Sequence, residues 1–175
     1  FEWLLLWEDD VVAPIDSFLK LNEYIENPEY PVVSGLYFTR GEYSEPILYR
    51  GRGNSYYRNW RFGDKVMCDG VPTGFLMIHS SVLKLMYDES PVYTSIGGLS
   101  VRKVFETPAT VAINEISKQL DTIKGTSDLF WCKRVIREKV LQRAGWDVEN
   151  EKHPFLCDTN IFCKHIDLAT GKQFP

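Results

Sequence analysis

The chain has 175 residues, 44 % of them hydrophobic and 14 % aromatic, which is ample for one packed domain and far from the composition of a disordered segment. A net charge of -4 and a pI near 5.4 argue against a general binder of nucleic acid or of anionic membranes. No stretch reaches the roughly 20 apolar residues of a membrane span, and the opening lacks a signal-peptide pattern. Four cysteines, Cys68, Cys132, Cys157 and Cys163, form no CxxC pair; they read as reduced thiols of a cytosolic setting, with Cys157 and Cys163 close enough to pair in a secreted protein.

The first element, FEWLLLW, is an apolar run of strand length that ends in three consecutive acids, Glu8, Asp9 and Asp10. On an extended chain residues i and i+2 point the same way, so Glu8 and Asp10 would face one point and Asp9 another. Two readings stay open. The acids form a solvated turn that favours the dipole of the following helix, or they hold Mg²⁺ or Mn²⁺ with phosphate oxygens completing the shell.

A helix follows from Pro14 to about Ile25, with Phe18, Leu21 and Ile25 at helical spacing and Asn27-Pro28 as its stop. Strands are expected at Pro31 to Phe38 and Pro46 to Arg50. Gly51 to Gly63 is an aperiodic stretch of Gly, Arg and aromatics, in which Tyr56, Tyr57 and Trp60 accompany Arg50, Arg52, Arg58 and Arg61. Aromatic faces stack on sugar rings and Arg pairs with phosphates, so Tyr57, Arg58 and Trp60 are candidate acceptor-binding residues. The same stretch also reads as a surface hairpin packed on the sheet.

KVMCDG and TGFLMI are short strands, and His79-Ser80-Ser81 opens a helix with Ser80 or Ser81 as N-cap. Residues 90 to 125 are the least legible, with one helix expected around Val111 to Leu120. A longer helix runs from Thr126 to Ala144, with Leu129, Cys132, Ile136, Val140 and Leu141 on its inner face and Gly145 at its end. The tail FLCDTNIFCKHID is extended. Strands alternating with helices predict an α/β domain spanning residues 1–175.

In this order the segments resemble a nucleotide-sugar-dependent glycosyltransferase of the GT-A fold, its family-2-like inverting branch. WLLLWEDDVVAP stands where that family has a strand ending in a DxD-type motif. VVSGLYF, DGVPTGFLMIHSSVL and TSDLFWCKRVIREKVLQRAGW follow as the family's next strand, its Gly-x-x-Thr-Gly-Phe segment and its Glu-Asp helix. A late His165 in CKHID completes the series. Two positions depart from the pattern: Glu8 replaces the first Asp, and Ser127 replaces the Glu of the Glu-Asp pair.

The resemblance implies a GT-A-like, Rossmann-related mixed sheet flanked by helices. The family's N-terminal nucleotide-binding βαβ units would precede Phe1, so the N-terminal half is expected to be incomplete. It further implies Mn²⁺ or Mg²⁺ on Glu8, Asp10 and His165, Asp9, Gly70, Thr73 and Gly74 at the donor, and Asp128 as general base. The expected partners are a nucleotide-sugar donor and a glycan, lipid or protein acceptor, in the cytoplasm or on the cytosolic face of a membrane. An alternative is a non-catalytic carbohydrate- or partner-binding remnant of such a domain. A phosphoryl-transfer enzyme would call for a phosphate-cradling Gly-rich loop after the first strand, and none is present there.

Overall fold

The computed structural model describes residues 1–51, 56–113, 120–124 and 126–175; Arg52 of the basic aromatic stretch lies outside them. The elements in chain order are β1 (Trp3–Trp7), β2 (Val11–Val12), α1 (Ser17–Glu26), β3 (Val32–Leu36), β4 (Lys65–Cys68), β5 (Phe75–His79) and α2 (Ser80–Glu89). Then come β6 (Val92–Thr94), β7 (Ser100–Arg102), β8 (Ala109–Ile113), β9 (Leu120–Lys124), α3 (Ser127–Arg137), α4 (Val140–Arg143), β10 (Phe155–Phe162), β11 (Lys164–Ile166) and β12 (Gln173–Phe174).

The expected α/β architecture with a mixed sheet is present. Five strands stand in the order β1-β5-β3-β10-β4. β3 and β10 are parallel, while β5 runs antiparallel to both β1 and β3, so β1, β3 and β10 all end at one edge of the sheet. Period-2 alternation sorts the side chains to two cores. Val32, Leu36, Leu76, Ile78, Phe155 and Cys157 face α2, α3 and α4; Val33, Phe75, Met77, Leu156 and Ile161 face α1 and β2. β3 is therefore buried along its whole length, as a strand covered on both sides must be.

One irregularity positions the site. The pairing of β10 with β3 slips between Asp158 and Phe162. The slip lies beside Gly35, where an added Cβ would come within 2.9 Å of the Ile161 carbonyl oxygen. Beyond it the chain turns into β11, which pairs with β2 (His165 opposite Val11) and with β12.

Several expectations are corrected. Residues Pro46 to Arg50 make only isolated bridges, Phe38 with Pro46 and Tyr49 with Tyr56 and Gly70. α1 starts at Ser17, and its inner face is Ser17, Leu21 and Tyr24; Phe18 and Ile25 are exposed, Phe18 lying against the Trp7 ring. His79 rather than a serine caps α2, its Nδ1 accepting the Ser81 N–H. The helix expected at Val111 to Leu120 is instead the hairpin β8–β9, whose connecting residues 114–119 lie outside the described part. The long helix breaks at Lys139, which is left-handed (φ 50°), and resumes as α4. All four thiols are free and buried, so Cys157 and Cys163 are not paired.

Candidate functional site

The acids at the end of β1 lie in a tight turn. The Val11 N–H donates to the Glu8 carbonyl at 3.2 Å, the Trp7 indole N–H to the Val11 carbonyl at 2.7 Å, and the Glu8 N–H to Gly74 at 3.0 Å. A turn does not keep the i, i+2 alignment of an extended strand, so the carboxylates fan out. Glu8 Oε1 accepts the Thr73 hydroxyl at 2.9 Å, Asp10 Oδ2 pairs with Arg40 at 2.9 Å, and Asp9 is exposed without an ion partner among the described residues. Asp10 Oδ1 is buried and has no hydrogen-bond partner among the described residues. Among the described residues no three His, Cys, Asp or Glu side chains gather around one point, so Glu8, Asp10 and His165 are neighbours rather than a closed ligand set.

Tyr37, which the sequence reading passed over, is the hinge of this region. It follows directly on β3 and is buried. Its hydroxyl accepts the Gly74 N–H at 2.7 Å, and its ring meets that of His165 edge-on at 4.7 Å. Burial pushes its ionisation above the ordinary tyrosine range, and the negative charges of Glu8 and Asp128 push the same way. Gly74 is required here: an added Cβ would fall 2.2 Å from the Tyr37 hydroxyl oxygen. The signal for Tyr37 was its place as the only hydroxyl-bearing aromatic at the end of VVSGLYF.

His165 is buried, and its Nδ1 faces the Phe38 carbonyl oxygen. A carbonyl only accepts, so in the neutral ring Nδ1 carries the proton and Nε2 keeps a lone pair. The Ile166 N–H donates to the Asp10 carbonyl at 2.8 Å, tying β11 to the acid turn.

Asp128 is in the first turn of α3 and is half-buried. Thr126, at the cap position, makes no side-chain bond there, while Asp128 Oδ1 accepts the adjacent Leu129 N–H at 2.8 Å. Its charge acts on Tyr37, Tyr49 and Cys132. Gly70 is packed beneath this helix start; an added Cβ would lie 2.8 Å from Leu129 Cδ2. A cleft of about 200 Å³ opens beside it, lined by Tyr49, Asp69, Gly70, Leu129, Lys133 and Ile136. The Asp69 carboxyl is raised above the usual range by burial, and its Oδ2 accepts the Gly51 N–H at 2.9 Å.

The basic aromatic stretch divides. Trp60 packs edge-on against Phe38, whose carbonyl orients His165, and is therefore linked to the site. Tyr57 accepts a hydrogen bond from Arg50, which also lies over its ring at 5.1 Å, and Arg58 forms an ion pair with Glu45. The structure thus brings Glu8, Asp10, Thr73, Gly74, Tyr37 and His165 together at the carboxyl edge of the sheet, with Asp128 and Gly70 adjoining through Tyr37 and Tyr49. A cleft of about 410 Å³ lies at the opposite edge, where Tyr30, Pro31, Met67, Trp146 and Pro154 line it.

No family model and no curated protein matches the chain. Among solved structures the crystal structure of A197 from STIV superposes with a TM-score of 0.50 at 15 % sequence identity, over 99 % of this chain and 65 % of A197. The likeness is one of fold, and the chain spans about two-thirds of that neighbour's length (65 %).

Proposed function

We propose that this chain carries a GT-A-type glycosyl-transfer site that moves a sugar, with inversion, from a nucleotide-sugar to a hydroxyl of a glycan, lipid or protein. One observation carries the reading: Glu8, Thr73, Gly74 and His165, far apart in sequence, are gathered around Tyr37, Glu8 accepting the Thr73 hydroxyl, Gly74 donating to the Tyr37 hydroxyl and His165 meeting its ring edge-on. They lie at the carboxyl edge of the sheet, where open α/β sheets take their ligands.

Asp128 receives the acceptor proton as the new oxygen–carbon bond forms at the anomeric centre and the bond to the diphosphate breaks on the opposite face. The Thr73–Gly74 backbone, with no side chain at Gly74, allows close approach of the donor. The buried Asp10 Oδ1, unpartnered among the described residues, is the kind of oxygen that a divalent cation satisfies, so Asp10 is the donor that would hold it, with Glu8 and His165 as neighbours that do not converge on the same point. When bound, Mn²⁺ or Mg²⁺ offsets the charge of the leaving diphosphate.

The test is calorimetric titration of nucleoside diphosphates, with and without Mn²⁺, into the chain and into Asp10→Ala. The expected result is binding that requires metal and weakens by about tenfold or more in the variant, the scale of a lost charged partner. Asp128→Asn is expected to leave that binding intact and to lower transfer by about 10² to 10⁴. Metal-independent binding, unchanged in Asp10→Ala, overturns the reading. A second reading, a non-catalytic carbohydrate-binding domain, is favoured by the Arg40–Asp10 ion pair and the Thr73–Glu8 hydrogen bond, which already engage two of the acids. It predicts glycan binding without nucleotide.

A further inference from the structure

The β6–β7 hairpin is an arm whose base is clamped and whose tip is bare. At the base the Arg102 guanidinium donates to the carbonyls of Asp88 and Ser90 at 2.9 and 3.0 Å. Arg134 donates to the Ser90 hydroxyl at 2.8 Å and to the Lys103 carbonyl at 3.2 Å. Just beyond, the Phe105 ring stacks on Trp131 at 5.4 Å. At the tip the Ser95 N–H donates to the Leu99 carbonyl, and the Gly98 N–H to the Ser95 carbonyl, at 2.8 and 2.9 Å. This closed turn presents Ile96 fully exposed and Leu99 at 69 % exposure. An ordered arm that holds two large aliphatics in water forgoes the stabilisation that burying them would bring.

We propose that this hairpin seats the domain on a phospholipid bilayer, with Ile96 and Leu99 entering the acyl boundary. Side chains are sorted along the arm by chemistry. The aliphatic pair is at the tip; exposed Val92 and Tyr93 come next, with Lys103 Nζ over the Tyr93 ring at 5.4 Å; Tyr87 is at the base, with Arg102 over its ring at 5.4 Å. Hydrocarbon, amphipathic ring and cation follow in the order in which a bilayer offers acyl chain, interface and phosphate. Lys103 also pairs with Glu106 at 3.4 Å, whereas Arg102, whose Nη1 holds the Asp88 and Ser90 carbonyls, has no carboxylate partner among the described residues, so its positive charge is not neutralised and complements lipid phosphate. A two-stranded arm ending in a narrow apolar tip suits a medium that yields around it. A second group of exposed apolar residues, Trp7, Val12, Ile15, Phe18 and Leu19, has no cation over an aromatic ring among the described residues and carries no assignment. The inference does not depend on the glycosyl-transfer reading.

Co-sedimentation with vesicles of phosphatidylcholine and phosphatidylglycerol tests it, on the unaltered chain, on Ile96→Asp/Leu99→Asp and on Ile15→Asp, a fully exposed control elsewhere. All the substituted positions face water, so circular dichroism is expected to report the same fold for each. The expected result is that the unaltered chain and Ile15→Asp sediment with the vesicles, while the hairpin variant partitions about tenfold less or weaker still. Ile96→Cys carrying an environment-sensitive dye is expected to shift its emission to the blue on vesicles. The proposal is overturned if the unaltered chain stays in the supernatant, if the hairpin variant sediments like it, or if Ile15→Asp loses binding to the same extent. Self-association that the hairpin variant abolishes, without vesicle binding, would make the arm a protein interface and overturn it equally.

Discussion

At the scale of single residues, the contact between Tyr37 and Gly74 organises the site. The Gly74 N–H is enclosed and has the Tyr37 hydroxyl as its acceptor, so Tyr37→Phe leaves a buried donor unpaired. The expected loss is about 1 to 3 kcal/mol, read as a lowered urea midpoint at unchanged slope. Glu8 and Asp10 stood out as candidates because acids at a strand end leave a mark at short range, whereas Gly70, Thr73, Gly74, Asp128 and His165 became candidates through the family resemblance. What they do to one another was not legible. The turn at Glu8 replaces the expected extended geometry, and Arg40, which neutralises one face of Asp10, arrives from a loop that no local pattern connects to it. Trp60 keeps its link to the site, while Tyr57 and Arg58 are engaged by Arg50 and Glu45, as a packed surface loop would have them.

At the scale of elements, strands covered on both faces were the clearest to read, and β3, β5 and β10 fall where their apolar runs stand. The failures have physical causes. Among the described residues β6 pairs only with β7 and β8 only with β9, outside the five-stranded sheet, and β6 is exposed along its whole length, so it carries no period-2 signature. In α1 the inner face is set by Tyr24, whose hydroxyl donates to buried Asp158 at 2.7 Å, a tie that apolar spacing cannot reveal. The break between α3 and α4 turns on Lys139, a non-glycine residue in the left-handed region, and nothing in KVLQR announces it. Left-handed backbone strains any side chain with a Cβ by about 1 to 2 kcal/mol, and glycine carries part of that relief back as extra freedom in the unfolded chain. Lys139→Gly is therefore expected to stabilise by about 0.5 to 1 kcal/mol in urea denaturation, with α3 and α4 unchanged.

At the scale of the whole molecule, the domain is three layers that bury four thiols between them. Burial holds all of them protonated well above the ordinary thiol range, with Cys132 and Cys163 pushed up to about 12. Unfolded thiols release their protons near pH 8.5. The sign follows: the stability that comes from keeping the thiols neutral is complete below about pH 8.5 and is lost as pH rises from there toward about 12. Tyr24 and Tyr37, also raised by burial, add loss of the same sign above the ordinary tyrosine range. Urea midpoints measured under reducing conditions are expected to be level between about pH 7 and 8.5 and to fall steadily above it.

The same thiols are also a built-in clock. Cys68 is on β4, Cys132 on α3, Cys157 within β10 and Cys163 just before β11, so each layer carries its own reporter. A reagent that attacks only water-exposed thiolate is shut out of every one of them until its part of the molecule opens. Four labelling rates, taken on the unaltered chain under native conditions, would time the opening of each layer and say which one yields first.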